Sequence, residues 1–273
     1  MVNSTVGMLV KQWRAHRSRS QLDLAYQVGV SPKHLSFVET GRSRPSPELI
    51  DALGIHLDIP LRERNTMLLA AGFAPRYRHT SLDDPAMATI VASLQRLLDA
   101  HEPYPGVVLD RHWNVILANR AVMAFVDLLP VDLVRPPMNV FRASLHPAGL
   151  ARYTVGFDAW ASYLLRQLNR IVTITADPIL IAIRDEIHGY PNIVELRARR
   201  NWMTPTDSPD LLVPFQLTIE GVELSMFTTL TTFGTPRDIT LDELAVELFF
   251  PSDPATATRF TEQAPLSSGL GSR

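Results

Sequence analysis

The chain has 273 residues, of which 46% are hydrophobic and 20% are charged, with a net charge of −2 and no cysteine. This length suits one large domain or two ordinary ones, and the apolar content excludes disorder throughout. The missing cysteines exclude disulfides, iron–sulfur clusters, thiolate zinc sites and cysteine nucleophiles. Neither a signal peptide nor an apolar run of roughly 18 to 20 residues is visible, so we expect a soluble, cytoplasmic protein without a membrane partner.

The charge is unevenly distributed along the chain. Residues 1–78 contain 11 basic and 6 acidic residues, a net charge of +5, whereas residues 79–273 contain 15 and 22, a net charge of −7. Opposite charges indicate two domains with different partners, one of which is a polyanion. Chance clustering would produce the same numbers, so the split does not decide the function by itself.

Short helices are predicted throughout the first 72 residues. Ser20 is a typical N-cap, Gly29 permits a tight turn, and Ser31-Pro32 is a strong start signal for the next helix. Helices are predicted over about 6–17, 21–28, 32–39, 46–57 and 61–71. The residues expected in their core are Trp13, Leu22, Ala25, Val30, Leu35, Val38, Leu49, Ile50 and Leu53.

Two short helices joined through Gly29 fit a helix-turn-helix by geometry alone. The segments Gln21-Leu22-x-Leu24-Ala25-x-x-Val28-Gly29-Val30-Ser31 and Leu35-Ser36-x-Val38-Glu39-Thr40-Gly41-Arg42-x-Arg44-Pro45-Ser46 also resemble the phage-repressor, or xenobiotic-response-element (XRE), family. The resemblance covers roughly residues 6–72. It implies that double-stranded DNA is a partner and that Arg14 and Glu39 form a structural ion pair.

The predicted DNA contacts lie around the second of these helices. A recognition helix places its N-terminal residues in the major groove, and this makes candidates of Ser31, Pro32, Lys33, Ser36 and Phe37. Phe37 either contacts a thymine methyl group or packs against the first helix. The resemblance adds Gln21 as a phosphate or base contact, and Arg42 and Arg44 as phosphate contacts, with a solvated loop as the alternative for the two arginines.

The remaining sequence predicts an α+β domain with a mainly antiparallel sheet. A hairpin is expected over 107–117, helices over about 119–128, 157–172 and 178–188, and strands over 215–226 and 245–250. The predicted domains are a helix-turn-helix domain at 1–75, a linker with a connecting helix at 76–104, an α+β domain at 105–260 and a disordered tail at 261–273. The apolar stripe of the helix at 85–101 belongs either to a dimer interface or to packing on the α+β domain.

This second domain contains no catalytic signature. Gly-x-Ser-x-Gly, phosphate-loop, Gly-x-Gly-x-x-Gly and His-Glu-x-x-His patterns are all missing, and the eight histidines are scattered. We therefore expect no catalytic residues, no metal ion and no cofactor.

Two stretches of this domain resemble one family of regulators. They are Ser144-Leu145-His146-Pro147-x-Gly149-Leu150 with the following aromatic helix, and residues 228–251 around Thr235-Pro236-Arg237-Asp238. Both are similar to the ligand-binding domain of MmyB-like transcription regulators. The resemblance implies a PAS-like fold around an apolar cavity, with a small hydrophobic effector, of which fatty-acid-like molecules are one class.

Apolar and aromatic residues of this domain are candidates for lining such a cavity, although an ordinary core would show the same pattern. They are Val115, Leu117, Phe125, Phe141, Phe157, Trp160, Leu164, Phe215, Leu217 and Phe227. Arg197, within Arg197-x-Arg199-Arg200, is the candidate for binding an acidic head group, or equally part of a surface patch.

The leading hypothesis is a homodimeric, DNA-binding transcriptional regulator that senses a small hydrophobic molecule. The alternatives are an enzyme that carries a helix-turn-helix and a protein-interaction module that uses the helix-turn-helix as a scaffold, since fold resemblance does not determine function. Sequence-specific, salt-dependent DNA binding separates the first hypothesis from the other two.

Overall fold

The computed structural model describes residues 5–175, 177–199 and 212–263. The chain forms two compact units. The N-terminal unit consists of Met1–Met87 together with Phe233–Glu243, and the C-terminal unit consists of Ala88–Thr232 together with Leu244–Arg273.

Five helices make up most of the N-terminal unit, as predicted. They are α1 (Val6–His16), α2 (Gln21–Gln27), α3 (Pro32–Glu39), α4 (Pro47–His56) and α5 (Leu61–Ala70). Ser20, Ser31 and Ser46 cap α2, α3 and α4, each accepting a hydrogen bond from a backbone N–H three residues later. These local caps explain why the starts of the helices were recognisable in the sequence.

The core of this unit is closely packed between α1 and α3. A Cβ atom added to Gly7 of α1 would lie 2.3 Å from the carbonyl oxygen of Val38. Leu24 and Ala25 are completely buried, but Leu22, predicted to be in the core, is 65% exposed. That prediction is wrong because Leu22 and Leu24 are separated by about 200° of helical rotation and lie on opposite faces of α2.

The C-terminal unit contains a five-stranded antiparallel sheet. Its strands are β1 (Gly106–Leu109), β2 (Val115–Ala118), β3 (Phe215–Ile219), β4 (Val222–Thr232) and β5 (Ala245–Pro251), in the spatial order β2-β1-β5-β4-β3. The last strand in sequence, β5, therefore lies at the centre of the sheet. This sheet and its helices confirm the predicted α+β fold class.

Nine more helices follow α5 among the described residues, and a short 3-10 turn at Pro85–Met87 precedes the first of them. In chain order the helices are α6 (Ala88–Ala100), α7 (Arg120–Val126), α8 (Val131–Val134), α9 (Val140–Leu145), α10 (Phe157–Thr175), α11 (Pro178–His188), α12 (Pro191–Ala198), α13 (Ile239–Asp242) and α14 (Pro254–Gln263). Of these, α13 belongs to the N-terminal unit.

Several of these helices were not predicted from the sequence. The helices α8, α9 and α13 have only four to six residues and little periodicity. Helix α14 reaches into the predicted disordered tail, so residues 261–263 are helical, while the rest of that tail lies outside the described residues. No helix among the described residues is long and apolar enough to span a membrane.

Candidate functional site

The helix-turn-helix consists of α2 and α3 with the turn between them. Gly29 has a φ of +72°, a left-handed conformation that glycine adopts without strain. Ser31 then caps α3, and its Oγ accepts a hydrogen bond from the backbone N–H of His34 at 3.1 Å. The first two residues of α3, Pro32 and Lys33, are exposed.

One buried carboxylate connects the first three helices. Arg14 Nε and Nη2 on α1 donate to the two carboxylate oxygens of Glu39 on α3, at 2.6 and 2.9 Å. Gln21 Nε2 on α2 also donates to Glu39, at 2.6 Å, and the Glu39 side chain is 1% exposed. Burial alone would raise the pKa of Glu39, but the hydrogen bonds from Arg14 and Gln21 outweigh it and lower that pKa.

Two cations lie against the aromatic ring of Phe37 on α3. Lys33 Nζ is 5.7 Å from the centre of the ring, and Arg42 Cζ is 5.9 Å from it. Phe37 is half-buried and does not belong to the residues packed on the core of the unit. Of the two alternatives for Phe37, the structure favours the outward orientation. Lys33, Phe37 and Arg42 form what we call the recognition cluster.

The other predicted DNA contacts have different surroundings. Arg44 Nη2 donates to the carbonyl oxygen of Gly72 at 3.0 Å, and its guanidinium lies 4.2 Å from the ring centre of Phe73. Arg44 is thus held beside the end of α5 although it remains exposed. Ser36 is half-buried on α3. The contacts of all these residues with DNA stay predictions.

An apolar cavity of about 70 Å³ lies within the C-terminal unit. Residues of all five strands and of α7, α9 and α10 line it. Five of the residues predicted to line a cavity do so, namely Val115, Phe125, Trp160, Leu164 and Phe215. The other residues of the lining are Pro105, Val107, Val122, Leu129, Met138, Val140, Ala143, Ser144, Leu150, Met226, Glu247 and Phe249.

The other predicted lining residues lie elsewhere. Those outside the lining are Leu117, Phe141, Phe157, Leu217, Phe227 and Arg197. Phe141 and Leu217 are completely buried among other core residues. Phe227 follows the lining residue Met226 on β4 and therefore points to the opposite face of the sheet, where it stacks on Phe250 at 5.3 Å.

Arg197 and Arg199, two of the arginines predicted to hold an acidic head group, are also outside the lining of the cavity. Arg197 is an exposed residue of α12. Arg199 follows that helix and forms an ion pair with Asp158, and Arg200 lies outside the described residues. For Arg197 and Arg199, the structure favours the surface patch over the head-group site.

Sequence reasoning missed Glu247, which is the single ionisable residue in the described lining of the cavity. It is 8% exposed, and its Oε2 has no hydrogen-bond partner among the described residues. Burial raises the pKa of Glu247 to about 7, although a hydrogen bond with Thr228 lowers it. A charged residue inside the apolar run Ala245–Phe250, two residues before Phe249, was the signal available in the sequence.

Trp160 supplies a second buried polar atom without a partner in the described chain, its indole Nε1. The indole ring stacks on Phe215 with 4.7 Å between the ring centres. Buried polar atoms are nearly always hydrogen-bonded, so two unpartnered ones around a single apolar cavity require an explanation.

Residues 233–243, between β4 and β5, pack within the N-terminal unit. Arg62 of α5 donates to both carboxylate oxygens of Glu243, at 2.7 and 2.9 Å. The backbone N–H of Leu61 donates to Asp242 Oδ2 at 3.0 Å, so a residue 181 positions away caps α5. Thr80 Oγ1 donates to Asp238 Oδ2 at 2.6 Å. The loop between two cavity-lining strands thus holds the start of α5.

Comparisons with known proteins agree with both resemblances. A helix-turn-helix family model matches residues 10–64. The model described as the MmyB-like transcription regulator ligand binding domain matches residues 90–262, which is more than half of the chain. The comparison with curated proteins finds no match. The chain therefore belongs to the family of MmyB-like transcription regulators, with a helix-turn-helix domain followed by a ligand-binding domain.

Proposed function

We propose that this chain is a sequence-specific DNA-binding regulator whose affinity for DNA changes when a small hydrophobic effector occupies the cavity. The observation that carries this proposal is the recognition cluster, which presents two cations and an aromatic ring beside the exposed start of α3. With α3 in the major groove, Lys33 donates to guanine O6 or N7 and Arg42 binds phosphate.

The remaining candidates position the helix on DNA. The hydroxyl of Ser31 can donate its hydrogen to a phosphate while its oxygen caps α3. Pro32 and Ser36 contact base edges or methyl groups, and Gln21 and Arg44 contact the backbone. The regulator acts in the cytoplasm as a homodimer on two half-sites about one helical turn apart.

The loop at 233–243 offers a covalent route from the cavity to the helix-turn-helix unit. Met226 on β4 and both Glu247 and Phe249 on β5 line the cavity, and the loop joins these two strands. Glu243 of this loop accepts a hydrogen bond from Arg62, a residue of α5 in the N-terminal unit. An effector changes DNA affinity only if it binds differently to two conformations, and a shift of β5 relative to β4 would move this loop.

The test is fluorescence anisotropy with a DNA duplex selected by the protein from a random library, titrated over salt concentration. Lys33→Ala is expected to weaken specific binding by about 1–3 kcal/mol and leave nonspecific binding nearly unchanged. Arg42→Ala is expected to weaken binding to all sequences. It should also make the plot of log affinity against log salt concentration less steep, by about the amount due to one phosphate contact.

Arg96→Ala is the matched control, since it removes one positive charge from an exposed position on α6. Its affinities for specific and for nonspecific DNA should both stay within twofold of those of the original chain. If the wild-type chain forms no sequence-specific, salt-dependent complex, the proposed function is wrong. A non-catalytic role further requires that the effector be recovered chemically unchanged, which mass spectrometry after incubation measures.

A further inference from the structure

We propose that the cavity selects an uncharged apolar effector with one hydroxyl or carboxamide group, held by Glu247 and Trp160, and discriminates against carboxylate anions such as ionised fatty acids. This inference rests on the proposed function in taking the cavity as the effector site, and it narrows the chemical class of the effector.

The position of Glu247 makes it a feature of the cavity itself. It lies on β5, the central strand, and pairs with Val107 on β1 and with Leu230 on β4. Side chains alternate along a strand, so Glu247 and Phe249 face the same side, and both line the cavity. A carboxyl group in the middle of a buried sheet costs stability unless something binds it.

Nothing in the described surroundings neutralises this carboxyl group. Its neighbours on the adjacent strands are Val107 of β1 and Thr228 and Leu230 of β4, and among the described residues Thr228 supplies its one identified hydrogen bond. The described lining contains no lysine, arginine, histidine or aspartate. Burial without a countercharge raises the pKa of Glu247 to about 7, so both the acid and the carboxylate are populated near neutral pH.

The two unpartnered atoms differ in what they require. Trp160 Nε1 is a donor and needs an acceptor, whereas the Glu247 carboxyl group donates when protonated and accepts when ionised. A ligand carboxylate would accept from Trp160 but would be repelled by an ionised Glu247. A ligand ammonium would satisfy Glu247 but leave Trp160 without an acceptor.

A hydroxyl or carboxamide group meets both requirements. Its oxygen accepts from Trp160, and its own hydrogen or oxygen pairs with Glu247 in either protonation state. The rest of the lining is almost entirely apolar, so the remainder of the ligand is a hydrocarbon. The cavity, at about 70 Å³, offers about five times the space that one water molecule needs, and this favours a short hydrocarbon.

The experiment compares four compounds with the same hydrocarbon chain, namely n-hexanol, hexanamide, hexanoate and n-hexylamine. Binding to the full-length chain is measured by calorimetric titration at a pH about one unit above the pKa of Glu247, without DNA. n-Hexanol and hexanamide are expected to bind at least tenfold more tightly than hexanoate and n-hexylamine.

Three variants identify the groups responsible. Glu247→Gln keeps the shape but removes the charge, so hexanoate should gain at least fivefold in affinity while n-hexanol changes less than threefold. Trp160→Phe keeps a ring but removes the donor, so n-hexanol and hexanamide should each lose about fivefold. Glu223→Gln, at an exposed position on β4, is the control and should change none of the four affinities.

The proposal is overturned if hexanoate or n-hexylamine binds the original chain more tightly than n-hexanol, or if none of the four compounds binds. It is also overturned if Glu247→Gln leaves the discrimination against hexanoate unchanged. These outcomes are independent of the DNA assay, because a chain that fails to bind DNA disproves the proposed function and leaves the ligand selectivity intact.

Discussion

Each unit has one buried glutamate among its described residues, and the surroundings of the two shift the pKa in opposite directions. In the N-terminal unit, Glu39 accepts hydrogen bonds from Arg14 and Gln21, and its pKa is lowered. In the C-terminal unit, Glu247 faces an apolar cavity without a described countercharge, and its pKa is raised to about 7. The same side chain therefore stabilises one unit and destabilises the other.

This difference separates a structural role from a binding role. A buried carboxylate with all its partners within the fold orients the elements that supply them, here α1, α2 and α3. A buried carboxyl group with an unpartnered oxygen lowers the stability of the free protein but can bind a ligand. In the N-terminal unit Glu39 thus joins three helices, including α3 of the recognition cluster, whereas the unpartnered oxygen of Glu247 in the C-terminal unit is the atom that the proposal assigns to an effector.

The largest effect is expected from Glu39→Ala. It leaves Arg14 without its partner and removes the group that joins three helices, so the N-terminal unit should lose about 3–5 kcal/mol. Calorimetric unfolding of the full-length chain measures the loss. Glu48→Gln, at an exposed position of α4, should change stability far less than Glu39→Ala does. Equal losses in the two variants would contradict the structural role of Glu39.

The second prediction concerns pH. Because folding raises the pKa of Glu247 from 4.5 to about 7, its contribution to stability is complete below 4.5 and is lost as the pH rises through about 7. The C-terminal unit should lose about 3 kcal/mol over this interval. Folding lowers the pKa of Glu39, so its contribution to the stability of the N-terminal unit is retained between pH 4.5 and about 7. That contribution is lost only as the pH falls below this interval.

Calorimetry at both ends of this interval, on the original chain and on Glu247→Gln, measures the effect. The variant should not show the loss in the C-terminal unit, since its amide does not ionise. A loss of the same size in both proteins would assign the pH dependence to another group.

The third prediction is a core substitution that stabilises the fold, whereas most core substitutions destabilise it. Glu247→Leu removes a buried carboxyl group that has one unpartnered oxygen and no described countercharge, and it should stabilise the C-terminal unit by about 1–3 kcal/mol above neutral pH. The same variant should no longer discriminate between n-hexanol and hexanoate. Denaturant unfolding measures the gain, and destabilisation by Glu247→Leu would show that Glu247 has a structural partner like that of Glu39.

The smallest effect on stability is expected from Glu243→Gln, at the contact between the loop and α5. This ion pair is partly exposed, so the variant should lose less than about 1 kcal/mol. If the loop transmits the effector signal, the change in DNA affinity caused by n-hexanol should nevertheless shrink. Glu195→Gln on α12 is the control, and an unchanged response in Glu243→Gln would rule out this route.

Most of the N-terminal unit could be predicted because its signals are local. Ser20 and Ser31 cap helices within three residues of themselves, and Gly29 supplies the turn between those helices. The Arg14–Glu39 pair followed from the family resemblance rather than from any local pattern. The prediction failed at Leu22, where hydrophobicity alone did not indicate which face of α2 is buried.

Much less of the cavity could be predicted, because its lining comes from five strands, three helices and the segments between them, spread over more than 140 residues. Hydrophobicity correctly indicated Trp160 and Phe215 as lining residues. It also selected Phe141, which is buried in the core outside the lining, and Phe227, which faces the other side of the sheet. Glu247 was overlooked because its proposed role depends on an oxygen without a hydrogen-bond partner and on the lack of a nearby countercharge, and a sequence does not show which partners are missing.

The sequence by itself determined the order of the two domains, the helix-turn-helix and the antiparallel α+β class, since caps, turns and periodicity act over a few residues. Only the tertiary structure decided which apolar residues surround the cavity, that Glu247 lines it with one oxygen unpartnered, and that Asp242 caps a helix 181 residues earlier in the chain. The physical reason is that burial and long-range contacts depend on how distant segments pack together, and local propensities do not specify that packing.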